Sequence, residues 1–428
     1  MIELNTQAQK AFDAIEFSTK SVLITGKAGT GKSSFIKYLT ENSKKKIVVA
    51  APTGIAAINA RGMTMHSLFQ LPFGPIKPND ERLYHIRYTS TKRKLLKEIQ
   101  VLVLDEISMV RADMLDAIDV ILRLHSEDQE IPFGGKQIVF VGDPFQLEPV
   151  VTPQDRASIG SIYRSFYFFY SSAYQSLSPS HIQFDEVFRQ SDKFFISLLD
   201  KVRIGTIEEE ELVDINYQFE SILPKDKFVI LLASRKDTVE QTNNKRLEEL
   251  KSVPKFYNGK VEKNFPPSQL PTAEVLSFKV GAQVMFVKND IEKKWVNGTL
   301  AKIIALETDF VKVKLDNGNE YDVKTDNWEN IEYSLDKEGK IKEEVKGKFT
   351  QLPLQLAWAV TIHKSQGLTF DHIEINLDKG AFAAGQLYVA LSRCRTLDGI
   401  SLQKKVKLSD VKIHPEVVAF INGDLYFD

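Results

Sequence analysis

Short apolar runs alternate with amphipathic stretches through the first 175 residues of the chain. VLIT (22–25), IVVAA (47–51), VLVLDE (101–106) and QIVFVGD (137–143) are brief and almost wholly apolar, the pattern of strands buried on both faces. Between them, Met114 to Leu124 places apolar residues at helical spacing. This alternation predicts an α/β unit built on a parallel sheet with helices on each side. QLPFGPIKPNDERLYHIRYTS, from about residue 70 to 90, breaks the pattern. Its prolines and aspartate exclude a central strand, and the stretch reads as an insertion spanning 70–92.

A second α/β pattern starts after about residue 176, with FVILLAS (228–234) as a strand and TVEQTNNKRLEELKS as the helix behind it. From 277 to 347 the character changes to short alternating strands parted by Asn-Gly, Asp-Asn-Gly and Lys-Glu-Gly, which is hairpin chemistry. The α/β pattern then resumes with LQLAWAVTIHKSQG, HIEINL and a helix around GQLYVALSRC. The expected organisation is therefore one α/β unit over 1–175, a second over 176–276 plus 348–428, and a small antiparallel barrel inserted at 277–347.

Composition narrows the class without naming a function. A chain of 428 residues is too long for one ordinary core, and 43% hydrophobic with 26% charged residues describes a globular protein. The net charge of -1 supplies no global attraction for a polyanion, so any nucleic-acid site must be a local groove. A single cysteine, Cys394, excludes an internal disulfide framework and fits a reducing compartment. MIELNTQAQK lacks a basic-then-apolar signal, and no apolar run is long enough to cross a bilayer, so a cytosolic protein is expected.

The densest chemistry is GKAGTGKS, Gly26 to Ser33, placed between an expected strand and an expected helix. That context makes it a P-loop: Gly26, Ala28, Gly29, Thr30 and Gly31 wrap backbone N–H groups around phosphates, Lys32 reaches the terminal phosphates, and Ser33, followed by Ser34, holds Mg²⁺. VLVLDEIS ends a strand in two carboxylates at the edge where α/β sheets bind ligands. Asp105 would hold the magnesium ion and Glu106 would deprotonate the attacking water, although an acidic pair at a strand end is by itself more often a helix cap. In GDPFQLEPV (142–150), Gln146 either senses the γ-phosphate or belongs to a turn set by Gly142, Asp143 and Pro144.

Taken in order, GKAGTGKS, APTGIAA (51–57), TMHSLF (64–69), DEIS, PFGGKQIVFVGDPFQLEPV (132–150), FRQ (188–190), TIHKSQGLTF (361–370) and YVALSRCR (388–395) form a recognisable set. The chain resembles the RecD-like branch of superfamily-one helicases, and most closely the Pif (petite integration frequency) DNA helicases. The resemblance implies two RecA-like domains, ATP and Mg²⁺ as cofactors, and 5′-to-3′ movement on single-stranded DNA with unwinding of duplex or G-quadruplex. It implies arginine fingers at Arg189 and Arg393, which would otherwise read as surface ion-pair residues, and a nucleotide contact at Gly367. It implies an adenine-reading glutamine at Gln9, or at Gln7 because Leu4-Asn5 is displaced by one residue. The family's strand contacts fall on Pro52, Thr53, Gly54, His66, Thr361, His363 and Lys364. The 70–92 insertion resembles the wedge that splits the duplex, and the 277–347 barrel resembles the Src-homology-like subdomain. Single strands and single/double-strand junctions are the expected partners of a monomer that forms a DNA-dependent dimer. A translocase without strand separation and a switch ATPase that does not move on nucleic acid are the alternatives; the second has no use for TIHKSQG.

Overall fold

The structure is a computed structural model that describes residues 4–425 apart from 225, 337 and 339. Residues 1–3 of the N-terminal reading, and Lys337 and Gly339 of the Lys-Glu-Gly turn, lie outside the described residues.

Six strands, β1 (Val22–Gly26), β2 (Ile47–Ala51), β3 (Met63–Thr64), β4 (Val101–Leu104), β5 (Gln137–Gly142) and β6 (Ser180–Phe184), form a parallel sheet in the order β3-β2-β4-β5-β1-β6. Alternate residues serve different cores. Leu23, Val48, Leu102, Leu104, Ile138 and Phe140 face the helix Ala112–Leu124 and the aromatic run 166–170, whereas Val22, Ile24, Val49, Val103, Val139 and Val141 face α1 (Thr6–Glu16) and α2 (Lys32–Asn42). Burial on both faces is why these strands carry uninterrupted apolar runs.

The expected boundary after residue 175 falls too early, because β6 pairs with β1 along its whole length. β6 is an edge strand in which His181 and Gln183 are exposed, so it has no apolar run to mark it. The far end of the chain also departs from the expected division. The helix Pro415–Asn422 returns to the first unit, where the Phe420 ring stacks on Phe169 at 4.2 Å between centroids and 9° between planes.

The second unit has a four-stranded parallel sheet, Ala359–Thr361, Ile230–Ala233, Ile373–Asn376 and Ile400–Leu402 in that spatial order. The inserted antiparallel region is wider than 277–347. It begins with Lys255–Asn258, which pairs with Val275–Phe278, and it ends with Leu354–Leu356, which closes a five-stranded sheet against Gln283–Phe286. Tyr257 and Leu354 share one apolar core with Phe278, Phe286, Ile303 and Val313, so the flanking strands belong to the insertion.

A long hairpin, Asp326–Leu335 with Ile341–Gln351, leaves this region and packs on the first unit. Tyr333 is buried there and donates to the Arg61 carbonyl at 3.1 Å, and Glu332 lies 3.7 Å from the buried Lys92 ammonium. Burial pulls Lys92 down to about 8 despite Glu332. Among the described residues no helix is long and apolar enough to cross a membrane.

Candidate active site and strand track

The carboxyl ends of β1, β4 and β5 meet the second unit around a cavity of about 540 Å³, a size suited to a nucleotide. Its walls include Ala28 to Ser34, Asp105, Glu106 and Gln146 from the first unit, and Arg189, Gly367, Arg393 and Arg395 from the other side. Four cations against two carboxylates give it the charge balance that a polyanionic ligand completes. Lys32 donates to the carbonyls of Gly26 (2.6 Å) and Lys27 (2.9 Å), and burial lowers its pKa. Gly29 has φ +82°, and a Cβ there would sit 2.5 Å from Arg189 Cβ, so the loop admits no side chain where the arginine crosses it.

Glu106 occupies the left-handed region (φ 50°, ψ 47°), a strained backbone for a non-glycine residue and one that turns its carboxylate into the cavity beside Asp105. Burial pushes both carboxyls up, and the two carboxylates being neighbours adds to the rise at Asp105. Gln366 joins this centre from the second unit: its amide donates to Glu106 Oε2 and to Gln146 Oε1, both at 3.0 Å. Gln146 closes a turn on the Asp143 carbonyl, and it also lines the cavity. Gln366 was missed in the sequence, although TIHKSQG carries it one position before Gly367.

Arg189 donates to the carbonyls of Ser392 and Gly367, both at 3.2 Å, and burial lowers its pKa. Arg393 is fully buried and bonds to the carbonyls of Val389, Ser365 and Leu368 and to the Ser392 hydroxyl. Burial, with Arg189 as a neighbouring cation, pulls it well below its usual value. Two desolvated guanidiniums satisfied by neutral oxygens are the arrangement that an incoming phosphate anion stabilises most.

The glutamines of α1 do not reach the cavity. Gln9 is exposed and donates to Asp13 at 2.9 Å, while Gln7 donates to Asp185 at 2.9 Å. Ala8, Ala11 and Ile15 fix the inner face of the helix, so Leu4, Asn5 and Ala8 line the cavity while neither glutamine does. For magnesium, the Ser33 hydroxyl and the Asp105 carboxylate would offer the hard oxygens this ion prefers. Among the described residues no group of three or more His, Cys, Asp or Glu forms a metal cage.

The residues expected on the strand track lie on both units. Thr53 caps the helix Gly54–Asn59, accepting from Ala56 N–H at 3.2 Å, and Thr361 Oγ1 accepts from Lys364 N–H at 3.2 Å. Ile55, Ile58 and Asn59 line a small gap with Lys364 and Gln366, roofed by Pro271, Val287 and Asn297 of the insertion. Gly54 lies directly beneath Gln269 of that insertion. His66 stacks on Phe73 at 5.6 Å and 17°, away from this gap, and burial lowers its pKa. Burial lowers that of His363 as well.

Two stacked α/β units with a P-loop on one face of the cleft and two arginines on the other define a P-loop nucleoside triphosphatase of the RecA-like class. The family within that class follows from comparison. Residues 3–212 match the model of the PIF1-like helicase family. The "ATP-dependent DNA helicase PIF1" of Danio rerio is 33% identical over 397 residues, covering 90% of this chain and 58% of that protein. The structure titled unliganded Pif1 from Bacteroides sp is 39% identical with a TM-score of 0.90, covering 99% of this chain and 97% of that one. The Bacteroides Pif1 structure titled as bound to single-stranded DNA, also 39% identical and with the same coverage, has a TM-score of 0.73. The chain belongs to the PIF1-like helicase family. It spans 58% of the length of the zebrafish relative.

Proposed function

We propose that this chain is an ATP-dependent DNA helicase that moves 5′ to 3′ along a single strand and parts the duplex ahead of it. One observation carries the reading: Gln366 touches Glu106 and Gln146 at the hydrolytic centre, while Lys364 on the same segment lines the gap beside Ile55, Ile58 and Asn59 of the first unit. A change at the γ-phosphate therefore reaches this gap through the two positions that part Gln366 from Lys364. ATP with Mg²⁺ on Ser33 and Asp105 closes the cleft, drawing Arg189 and Arg393 onto the phosphates. Hydrolysis reopens it, and alternating affinity for the strand turns each cycle into a step. Pro52, Thr53 and Gly54 hold the strand on one unit and Thr361, His363 and Lys364 on the other, through phosphate contacts that tolerate any sequence. The chain changes its overall arrangement as the strand enters; the TM-scores of 0.90 and 0.73 to the unliganded and DNA-bound relatives, at equal identity, support this.

The test is unwinding of two partial duplexes with ATP and Mg²⁺, one with a 5′ tail and one with a 3′ tail, using Lys32→Ala as control. Opening of the 5′-tailed duplex alone, lost in the control, is the expected result; opening of the 3′-tailed one would refute the direction. DNA-stimulated ATPase without opening of either would leave the protein a translocase.

Within the 70–92 insertion, Phe73 is the side chain we assign to the wedge. Its ring is 88% exposed, backed by His66, and its loop is clamped: Arg82 donates to the carbonyls of Phe73 (3.4 Å) and Pro75 (2.9 Å), and Arg111 to that of Gly74 (3.4 Å). Stacking on a base contributes about 1–3 kcal/mol. Phe73→Ala is expected to slow unwinding about tenfold while single-strand-stimulated ATPase stays within about twofold. Equal losses in both assays would assign Phe73 to strand binding instead.

A further inference from the structure

A second link between the two units lies beside the nucleotide cavity and owes nothing to the nucleotide. Tyr388, on the helix Gln386–Leu391 that leads into Arg393, is buried with its hydroxyl between two groups of the first unit. It accepts from the Ala28 N–H of the P-loop at 2.9 Å and donates to Asp143 Oδ2 at 3.2 Å. A hydroxyl is the one tyrosine group able to accept and donate at once, so each partner uses a different capacity of the same oxygen. Burial, reinforced by Asp143, pushes the phenol far above its ordinary value, so it keeps the proton it donates.

The surroundings hold this oxygen in place. Asp143 sits just past the end of β5 and is gripped by Arg203 through Nε and Nη2 at 2.8–3.2 Å. Arg203 also lies over the Phe145 ring, 4.4 Å from its centroid. Ahead of Tyr388, Ala384 N–H donates to Glu148 at 3.2 Å. Gly385, at φ +73°, passes so near the Gln146 carbonyl that a Cβ would lie 2.4 Å from that oxygen. The start of the helix is thus fixed to the first unit, and its end carries Arg393.

We propose that Tyr388 is a positioning residue for phosphoryl transfer: its hydroxyl pins the Arg393 helix to the P-loop, so that cleft closure turns the guanidinium onto the γ-phosphate in register. The inference rests on the finger role of Arg393. Tyr388→Phe keeps the ring and removes only the two hydrogen bonds. In the full chain it is expected to lower kcat of DNA-stimulated ATPase about tenfold, with KM for ATP and affinity for ADP within about twofold. Affinity for ADP with aluminium fluoride, a mimic of the transferring phosphoryl, should fall by the same factor as kcat. In an Arg393→Ala background the substitution should add nothing, because both act through one guanidinium. An unchanged kcat, a parallel loss of ADP and mimic affinity, or additive losses in the double variant would each overturn the proposal. If Arg393→Ala alone leaves kcat intact, the finger reading fails and takes this inference with it. If Arg393→Ala is crippled and Tyr388→Phe is not, only this inference fails.

Discussion

Glu106→Gln is expected to lower the rate of ATP hydrolysis about a thousandfold while leaving nucleotide and single-strand affinity nearly intact. The carboxylate is aimed by a left-handed backbone at the first residue after Asp105, and Gln366 Nε2 holds Oε2 at 3.0 Å. Burial raises its proton affinity, which makes it a better acceptor from water, while Lys32 and Arg393 oppose part of the rise. Glutamine preserves shape and polarity but accepts no proton, so the loss falls on the chemical step rather than on binding. Single-turnover phosphate release, set beside equilibrium binding of ATP and of a single strand, separates the two. A variant that hydrolyses at more than about a tenth of the wild-type rate would show that another group activates the water. Because the closed state then outlives many normal cycles, the same variant should remain on its strand in the presence of ATP.

Legibility in the sequence followed the kind of force that shapes each element. Strands buried on both faces, such as Val101–Leu104, must be apolar throughout and were visible as runs. The edge strand Ser180–Phe184 is tied to the sheet by backbone bonds and one buried phenylalanine, so nothing in its side chains announces it. The insertion's core was recognisable from its turns, yet its flanks were not, since Lys255–Asn258 shows one buried residue, Tyr257. Among residues lining the cavity, those placed by local backbone, Gly29 to Ser33 with Asp105 and Glu106, were expected there from the sequence, the acidic pair by its pairing with the P-loop. Those whose role depends on the opposite unit were not: Gln366 and Tyr388 acquire partners 220 to 360 positions away. Gln9 lies outside the cavity lining for a simpler reason. Its place in a string says nothing about which side of α1 faces the cavity, and the buried Ala8, Ala11 and Ile15 turn it outward.

Arg203→Met is expected to be the most destabilising single change outside the apolar cores. Asp143 and Arg203 are both buried, and removing one member of such a pair strands the other charge at a cost of about 3–5 kcal/mol. In the native chain burial pushes Asp143 up, but Arg203's charge and hydrogen bonds, aided by Lys32, outweigh it and hold the carboxyl below its ordinary value. Its contribution to stability is therefore present above the usual carboxylate range and is lost only as pH falls through the lowered native value. Without Arg203 the burial effect is left largely unopposed and the sign reverses. The folded variant then binds a proton that the unfolded chain does not, so its deficit is full at neutral pH and shrinks as the solution is acidified toward the carboxylate range. Thermal unfolding midpoints of both proteins at pH 7.5 and at about pH 5 measure that difference, and a deficit independent of pH would mean that packing, not the stranded charge, sets the loss. Adding Asp143→Asn to Arg203→Met should restore much of the midpoint by removing the charge, because the amide oxygen still accepts from Tyr388. The doubly substituted chain would then separate the two duties of this corner: the ion pair holds the units together, and the hydroxyl above it keeps Arg393 in register.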